Sequence, residues 1–299
     1  MGREPVRRAS DEFESPAVPA PEKDPEARRR PDLRTCCLLP GAVVAALALA
    51  SPPAAAQNGD ADCAAVPDHQ RLTQALSEVV APGDPEANGG LGNHMWAVAV
   101  NRAGVICTVT HSGETFGDQW PGSRAIAAEK AFAANAFSLS TFALSTANLY
   151  WPTQPDNSLY ALATSNPVHE EAFYVGEASS WGTEDDPVIG RRLGGTMVFG
   201  GGLALYGQGG ELVGGLGLSG DESCTDHVIA WKVRHVLNLD NVPAGVTKAD
   251  DDNIIHDLSV DPATGRMQSA SGYGHPTCSP TTTTIAQGLS DAFPTGPEE

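Results

Sequence analysis

Positive charge is scarce in this 299-residue chain, which has 18 Lys and Arg side chains against 37 Asp and Glu and a formal net charge of -19. Proteins that bind nucleic acid depend on Lys and Arg to neutralise the phosphate backbone. An excess of negative charge instead gives a soluble surface that repels itself. The composition therefore argues against nucleic acid as a partner.

Long apolar runs are also missing. The run Leu38–Ala50 is about a dozen residues long, short of the roughly 20 that a membrane-spanning helix needs. It follows the basic residues Arg28–Arg30 and Arg34 and leads into Ala54–Ala56, the pattern of a secretory signal peptide. We expect cleavage after Ala56, export to the periplasm or the medium, and no membrane contact in the mature chain. An N-terminal anchor is the alternative, because residues 1–27 are a long extension for a signal.

Cysteine is sparse, and no pair has the CxxC or CxxCH spacing of thioredoxin-type redox motifs or covalent haem attachment. Two of the six cysteines precede the expected cleavage site. The four that remain are Cys63, Cys107, Cys224 and Cys278. An even number in an exported chain predicts two disulfides, for which three pairings exist. We favour Cys63–Cys107 and Cys224–Cys278, because each bond would tie a terminal extension to a core element.

Three catalytic or metal-binding motifs are absent as well. The stretch Gly217–Asp221 fails the last position of the GxSxG nucleophile elbow, and no HExxH zinc motif occurs. The acidic run Asp250–Asp252 lacks the glycine and distal Glu of a calcium loop, so we expect a solvated acidic turn there. These absences favour a non-enzyme, although they leave an enzyme of another class open.

A glycine motif typical of dinucleotide-binding folds is present. Gly215, Gly217 and Gly220 match GxGxxG, and Asp240 lies twenty residues beyond the last of them. A nucleotide fold would require a parallel strand over Val233–Leu239, but the apolar residues there continue a helical stripe. We interpret the glycines as small residues that let a helix pack closely on a sheet.

Two β-hairpins are predicted by apolar, β-prone runs around tight turns. The first pairs Met95–Val100 with Val105–His111 around an NRAG turn. The second pairs Gly202–Tyr206 with Glu211–Ser219 around a glycine-rich turn. A short strand at Ile254–Leu258 is a further candidate.

Helices are predicted where apolar residues recur at helical spacing or alanine is abundant. They cover Pro67–Val80, Ser123–Phe137, Ser140–Trp151 and the stretch after the acidic start Ser219–Glu222. The last helix carries an apolar stripe from Ile229 to Leu237. The separation of hairpins from helices indicates an α+β fold with one mostly antiparallel sheet of four or five strands.

The domain organisation follows from these elements. Residues 1–56 are expected to be an N-terminal extension and signal peptide, and residues 57–278 a single domain. Residues 152–195 are rich in Asn, Pro, Asp and Gly and predict a loop insertion. The Thr-rich and Pro/Glu-rich end, residues 279–299, predicts a flexible tail with a turn or two of helix.

The same motifs resemble the GlcG/HbpS-like haem-binding family. The resemblance rests on the NRAG hairpin at Trp96–Val109, the alanine-rich helix with Lys130, and the closing stretch GGGLALY…GELVGGLGLSGDESCTDH. It implies a sheet with packed helices of the profilin or PAS-like two-layer type, self-association into homo-oligomers, and non-covalent binding of haem or a related tetrapyrrole. It further implies an exported carrier, sensor or scavenger. The alternatives are a haem-degrading or oxidative enzyme and a structural oligomer that binds nothing.

Candidate haem contacts come from the histidines and the few cations. His227, next to Asp226 in the first turn of the last helix, is off the apolar stripe and is the first candidate for the axial ligand of haem iron. His235 and His111 are second. Arg234 and Arg124 are candidates for the haem propionates, which are carboxylates. Arg234, Lys232 and His235 form the one cationic patch, although cations also stabilise a helix C-terminus without any ligand.

Overall fold

A computed structural model describes residues 62–296 of the chain. The predicted signal peptide and its cleavage site therefore lie outside the described residues. Within the described part, no helix combines the length and the apolar character needed to cross a membrane.

The centre of the fold is a four-stranded antiparallel sheet. Its strands are β1 (Trp96–Asn101), β2 (Ile106–His111), β3 (Gly202–Tyr206) and β4 (Leu212–Ser219), in the spatial order β2-β1-β4-β3. The two hairpins join through β1 and β4, with Trp96 opposite Ser219. The predicted α+β class and both predicted hairpins are confirmed.

Eight α-helices and a second, two-stranded sheet complete the described part of the chain. The helices are α1 (His69–Val79), α2 (Pro85–Asn88), α3 (Ser123–Ala136), α4 (Leu162–Ser165), α5 (Glu170–Phe173), α6 (Ser223–Val236), α7 (Pro280–Gln287) and α8 (Leu289–Ala292). The small antiparallel sheet pairs β5 (Leu258–Val260) with β6 (Met267–Ser269). Short 3-10 helices lie at Trp151–Thr153 and Ala178–Ser180.

Side-chain alternation places a core on each face of the main sheet. Ala97 and Ala99 of β1 belong to the core shared with α1 and α6, whereas Val98 and Val100 belong to the core shared with α3. All six residues of β1 are buried as a result. The helices thus lie on both faces of the sheet, and not on one face as in a two-layer sandwich.

The glycines of β4 allow the close approach of a helix, as the sequence indicates, but the partner is α3 and not α6. A Cβ added to Gly217 would lie 1.9 Å from the carbonyl oxygen of Ala127, and one added to Gly215 would lie 2.2 Å from that of Ala131. Only glycine leaves room for backbone contact of this kind. Because β4 pairs antiparallel with both neighbours, the dinucleotide interpretation is excluded.

The insertion at residues 152–195 is built into the core. Phe173, Val188 and Leu193 are buried against Trp96 and Val98 on the α3 side of the sheet. Their burial contributes roughly 1.5–3 kcal/mol for each large apolar side chain. The segment predicted as loops therefore forms much of one core.

The stretch Ser140–Trp151 contains turns and a single bridge between Leu139 and Phe142, so the predicted helix there is wrong. Its polar side chains form hydrogen bonds with backbone groups a few residues away. Asn148 Oδ1 accepts from Ser145 N at 3.0 Å, and Ser138 Oγ accepts from Leu144 N at 3.0 Å. Short polar side chains that bond nearby backbone groups in this way compete with helix formation.

The C-terminal segment differs from the predicted tail up to residue 296. Helix α7 begins at a Ser279 cap, whose hydroxyl oxygen accepts from Thr282 N at 3.2 Å. Ala286 and Leu289 are buried in the core that contains α6, and Trp231 Nε1 donates to Phe293 O at 3.0 Å. The candidate strand at Ile254–Leu258 is also displaced, since β5 begins at Leu258.

Both favoured disulfides are bonded. Cys63 joins Cys107 on β2, and Cys224 on α6 joins Cys278, just before α7. The first bond holds the segment before α1 to the sheet, and the second holds the C-terminal segment to α6.

Candidate functional site

His227, the first candidate for the axial ligand, has no exposed surface. Its Nε2 accepts from Ile254 N at 3.2 Å, and the ring lies 6.0 Å from that of Trp231. Burial lowers the pKa of His227 well below its usual 6.5, and nearby Arg234 acts in the same direction. His227 does not open into a cleft, because residues 253 and 254 fold over the helix face that carries it.

The cationic patch of α6 does not exist as an open surface. Arg234 donates from Nη1 and Nη2 to the two carboxylate oxygens of Asp252 at 2.9 and 2.7 Å, and both side chains are fully buried. His235 Nδ1 lies 2.7 Å from Asp240 Oδ2, and Lys232 donates to Asn88 Oδ1 at 2.8 Å. The acidic run also differs from the solvated turn we predicted, because Asp252 is the partner that neutralises Arg234.

Arg124 is likewise committed to a structural ion pair. Its guanidinium donates from Nε to Asp186 Oδ2 at 3.0 Å and stacks 4.9 Å from the centre of the Trp181 ring. Both ionic side chains are buried, so the pair anchors the insertion to α3. Binding a haem propionate at Arg124 would require this pair to break.

His111 and Asp226 complete the predicted set. His111 is partly buried, its Nδ1 lies 3.0 Å from Gly113 O, and burial lowers its pKa. Asp226 pairs with buried Lys130 at 2.6 Å. Burial raises the pKa of Asp226 to about 6, against the opposing effect of Lys130. The predicted residues lie on both sides of the sheet and do not converge on one site.

An open groove that the sequence analysis missed lies at the edge of the insertion. It has a volume of about 600 Å³ and is lined by His169, Glu171, Ala172, Arg191 and Arg192. A β-bridge between residues 168 and 194 and a 2.9 Å bond from His169 N to Leu193 O hold the imidazole beside the two arginines. Residues 168 and 194 are 26 positions apart in sequence, so the only signal for this groove in the sequence is the pair of neighbouring arginines in a chain with few cations.

The chemistry of this groove fits haem. An imidazole can ligate haem iron, and two guanidinium groups match the two propionates. His169, Arg191 and Arg192 are exposed, and Arg192 also donates from Nε to the carbonyl oxygen of Ala103 at 2.8 Å. Ala172 supplies the apolar part of the lining.

A second cavity of about 640 Å³ is lined by residues between 246 and 291, after α6, and fits haem less well. Its walls are largely apolar and include Val246, Ile254 and Ile255, with Lys248 and His256 beside them. The Nε2 atom of His256, however, is buried away from solvent and has no hydrogen-bond partner in the described structure.

Comparison with known proteins identifies the central part of the chain. Residues 91–234 match the model of the HbpS-like family, described as haem-degrading protein HbpS-like. No curated protein matches the chain. The match covers β1 to α6, including the insertion and its groove, and excludes the C-terminal segment.

Three solved structures are similar to this chain over a little more than half of its length. Klebsiella pneumoniae protein ORFY shares 20% identity over 56% of this chain and 86% of its own, with a TM-score of 0.38. A complex of PduOC with haem shares 24% identity over 57% of this chain and 91% of its own, with a TM-score of 0.38. HbpS shares 19% identity over 56% of this chain and 86% of its own, with a TM-score of 0.29. Through the segment 91–234, this chain belongs to the HbpS-like family.

Proposed function

We propose that this chain binds haem, or a related tetrapyrrole dicarboxylate, non-covalently in the groove lined by His169, Arg191 and Arg192. The observation that carries the proposal is that one exposed imidazole and two exposed guanidinium groups line the same groove. The groove lies within residues 91–234, the segment that matches the family model. The family is described by its action on haem, which supports the same ligand class.

Each lining residue has a distinct role in the proposed site. The β-bridge at residues 168 and 194 sets the position of His169, whose imidazole would hold the iron. Arg191 and Arg192 would bind the propionates by charge-assisted hydrogen bonds. Glu171 lies in the same lining and opposes a dianionic ligand by like-charge repulsion. Bound haem would supply the redox and ligand chemistry of its iron.

Titration with haemin, followed by the Soret absorption, tests the site. We expect a Soret shift with the parent protein, an altered band in His169→Ala, and affinity reduced about tenfold in Arg191→Ala or Arg192→Ala, since a charged hydrogen bond contributes roughly 1.5–3 kcal/mol. Glu171→Gln should bind more tightly. The matched control is His94→Ala, a partly exposed histidine outside the groove.

The outcomes separate the rival functions. No Soret shift in the folded parent protein would exclude haem binding and favour the structural oligomer. A shift that His169→Ala leaves unchanged would place the haem elsewhere. The oligomeric state remains a prediction, checked by light scattering with and without haemin.

A haem-degrading activity is the second candidate, because the description of the family names it. Its test is the addition of a reductant with oxygen, or of peroxide, to the haem complex. An enzyme would show loss of the Soret band and release of iron to a chelator, both dependent on His169. A carrier, sensor or scavenger would keep its haem under reducing conditions.

Export of the mature chain is part of the proposal. The two disulfides support it, because such bonds persist in oxidising compartments. Sequencing the N-terminus of the protein recovered from the medium or periplasm should find residue 57 first. An intact N-terminus on protein retained in the membrane fraction would favour the anchor.

A further inference from the structure

The Cys224–Cys278 disulfide lies beside two histidines from the chain after α6, His275, which is buried, and His256, which is partly buried. Ligand atoms of Cys224, His256 and His275 all fall within 4.8 Å of one another, the one cluster of three such groups in residues 62–296. Cys278 belongs to the same place, because its sulfur is bonded to that of Cys224. The contrast is the Cys63–Cys107 bond, which belongs to no such cluster within residues 62–296.

Each of the two imidazoles has one ring nitrogen, Nδ1, close to a carbonyl oxygen. In metal sites one ring nitrogen bonds a carbonyl oxygen, and the other faces the metal. His275 Nδ1 lies 2.8 Å from Pro276 O, and His256 Nδ1 lies 3.4 Å from His275 O. Each ring therefore turns Nε2 away from its carbonyl partner.

One of the two Nε2 atoms has no hydrogen-bond partner in the described structure. His256 Nε2 is buried and has no partner in the described structure, which costs free energy unless a ligand satisfies it. His275 Nε2 accepts only a long bond of 3.3 Å from Gly200 N.

We propose that reduction of the Cys224–Cys278 bond creates a Cys2His2 site for zinc or a zinc-like divalent ion, with Cys224, Cys278, His256 and His275 as ligands. Thiolate and neutral imidazole in this ratio are the donor set of tetrahedral structural zinc. While the disulfide is intact, the sulfur atoms are not thiolates and the ion has too few strong ligands. The site is independent of the proposed haem groove, because it lies outside the family segment except for Cys224.

The reduction is a two-electron step, and the reductant is a dithiol. A thiolate of the dithiol attacks the sulfur of Cys278, which is the more exposed of the two, and Cys224 leaves as a thiolate next to the imidazoles. The second thiol of the reagent then forms the cyclic disulfide of the oxidised reagent and releases Cys278. The metal ion displaces the remaining thiol protons.

Cobalt(II) is the probe, because bound thiolates give it a charge-transfer absorption and a tetrahedral site gives it strong visible bands. The protein is reduced with a dithiol, desalted under nitrogen and titrated with cobalt(II) chloride. We expect one ion per chain, both sets of bands, and an affinity at least tenfold above that of the oxidised protein. His256→Ala should lose the tetrahedral bands, whereas Cys63→Ser/Cys107→Ser should keep them after reduction.

If reduction unfolds the protein, a second variant tests the proposal without any reductant. Cys278→Ser leaves Cys224 as a free thiol without any reductant and retains the Cys63–Cys107 bond. This variant should bind cobalt through one thiolate and two imidazoles, and further replacement of His256 by Ala should abolish it. Absence of a thiolate-to-cobalt band in the folded Cys278→Ser variant, or an equal band in its His256→Ala derivative, would overturn the proposal.

Discussion

At the scale of single residues, charged side chains decide much of the fold of this chain. Within residues 62–296, the buried ion pairs Arg124–Asp186, Lys130–Asp226 and Arg234–Asp252 connect residues that are 62, 96 and 18 positions apart in sequence. A buried pair need not stabilise more than apolar side chains of the same volume, but removal of one partner leaves an uncompensated charge. Such pairs therefore account for cations that the sequence alone would assign to ligands.

Arg234→Met should lower the free energy of unfolding by about 3–5 kcal/mol, because Asp252 would be left buried and unpaired. Denaturant unfolding followed by circular dichroism measures the loss. The matched control is Arg266→Met, which removes an ion pair to Asp156 whose partners are 67% and 72% exposed and should cost about 0–1 kcal/mol. Equal losses in the two variants would show that Arg234 does not serve as a buried counter-ion.

Glu129 on α3 predicts a pH dependence of stability. Burial raises the pKa of Glu129 from 4.5 to about 7. Between pH 4.5 and 7 the Glu129 carboxyl is ionised in the unfolded chain but keeps its proton in the folded protein. The contribution of this group to the free energy of unfolding is therefore full below pH 4.5 and is lost as the pH rises to 7.

Glu129→Gln removes this loss. The free energy of unfolding of the variant relative to the parent should therefore be higher at about pH 8 than at about pH 4.5, by about 1–2 kcal/mol once the partial exposure of the carboxyl is taken into account. Unfolding in urea at the two pH values measures the difference between variant and parent. Glu114→Gln, at an exposed position, is the control and should show no such difference. A Glu129→Gln effect that is the same at both pH values would contradict the argument.

At the scale of elements, the contact between α3 and β4 depends on glycine. Gly217→Ala would place a methyl group 1.9 Å from the carbonyl oxygen of Ala127, so helix or strand must move. We expect a loss of about 1–3 kcal/mol or more, as for overpacked cores. The control Gly122→Ala meets nothing within 4 Å at a φ of -64° and should stay within about 1 kcal/mol of the parent.

Thermal or denaturant unfolding of both glycine variants checks this prediction. A Gly217→Ala protein as stable as the Gly122→Ala protein would mean that α3 is free to shift away from the sheet. The insertion packs on α3 through Arg124 and Asp186. For that reason a shift of α3 should also change haem binding in the groove that we propose for it.

At the scale of the whole molecule, the two disulfides fasten the segments that precede and follow the main sheet. The cysteines they join are 44 and 54 residues apart. Loop-closure entropy predicts a stabilisation of about 4 kcal/mol for loops of this length, within a usual range of roughly 2–5.

Cys63→Ala/Cys107→Ala and Cys224→Ala/Cys278→Ala should each lose about 2–5 kcal/mol of unfolding free energy, by similar amounts because the loops are similar in length. Guanidinium unfolding without reductant measures the loss, and the parent treated with a dithiol provides the comparison. Full stability in either double variant would show that the corresponding terminal segment is held by its packing alone.

The sequence by itself determined the elements with strong local signals. The two hairpins, α1, α3 and α6 follow from alternation, helical spacing and turn glycines, and these are properties of neighbouring residues. The α+β class follows from the order of those elements, whereas the sequence left three disulfide pairings open and the structure decided among them. The helix expected at Ser140–Trp151 failed because Ser138, Ser145 and Asn148 bond the backbone, and helical propensity does not register that competition.

Only the tertiary structure decided which polar side chains are exposed and which are buried. His227 and Arg234 look exposed on a helical wheel, yet the chain after α6 folds back and covers them with Ile254 and Asp252. The groove at His169 and the cluster at His256 both join segments that are distant in sequence. Burial and convergence arise from long-range packing, and for that reason the elements were predictable from local pattern while the candidate sites were not.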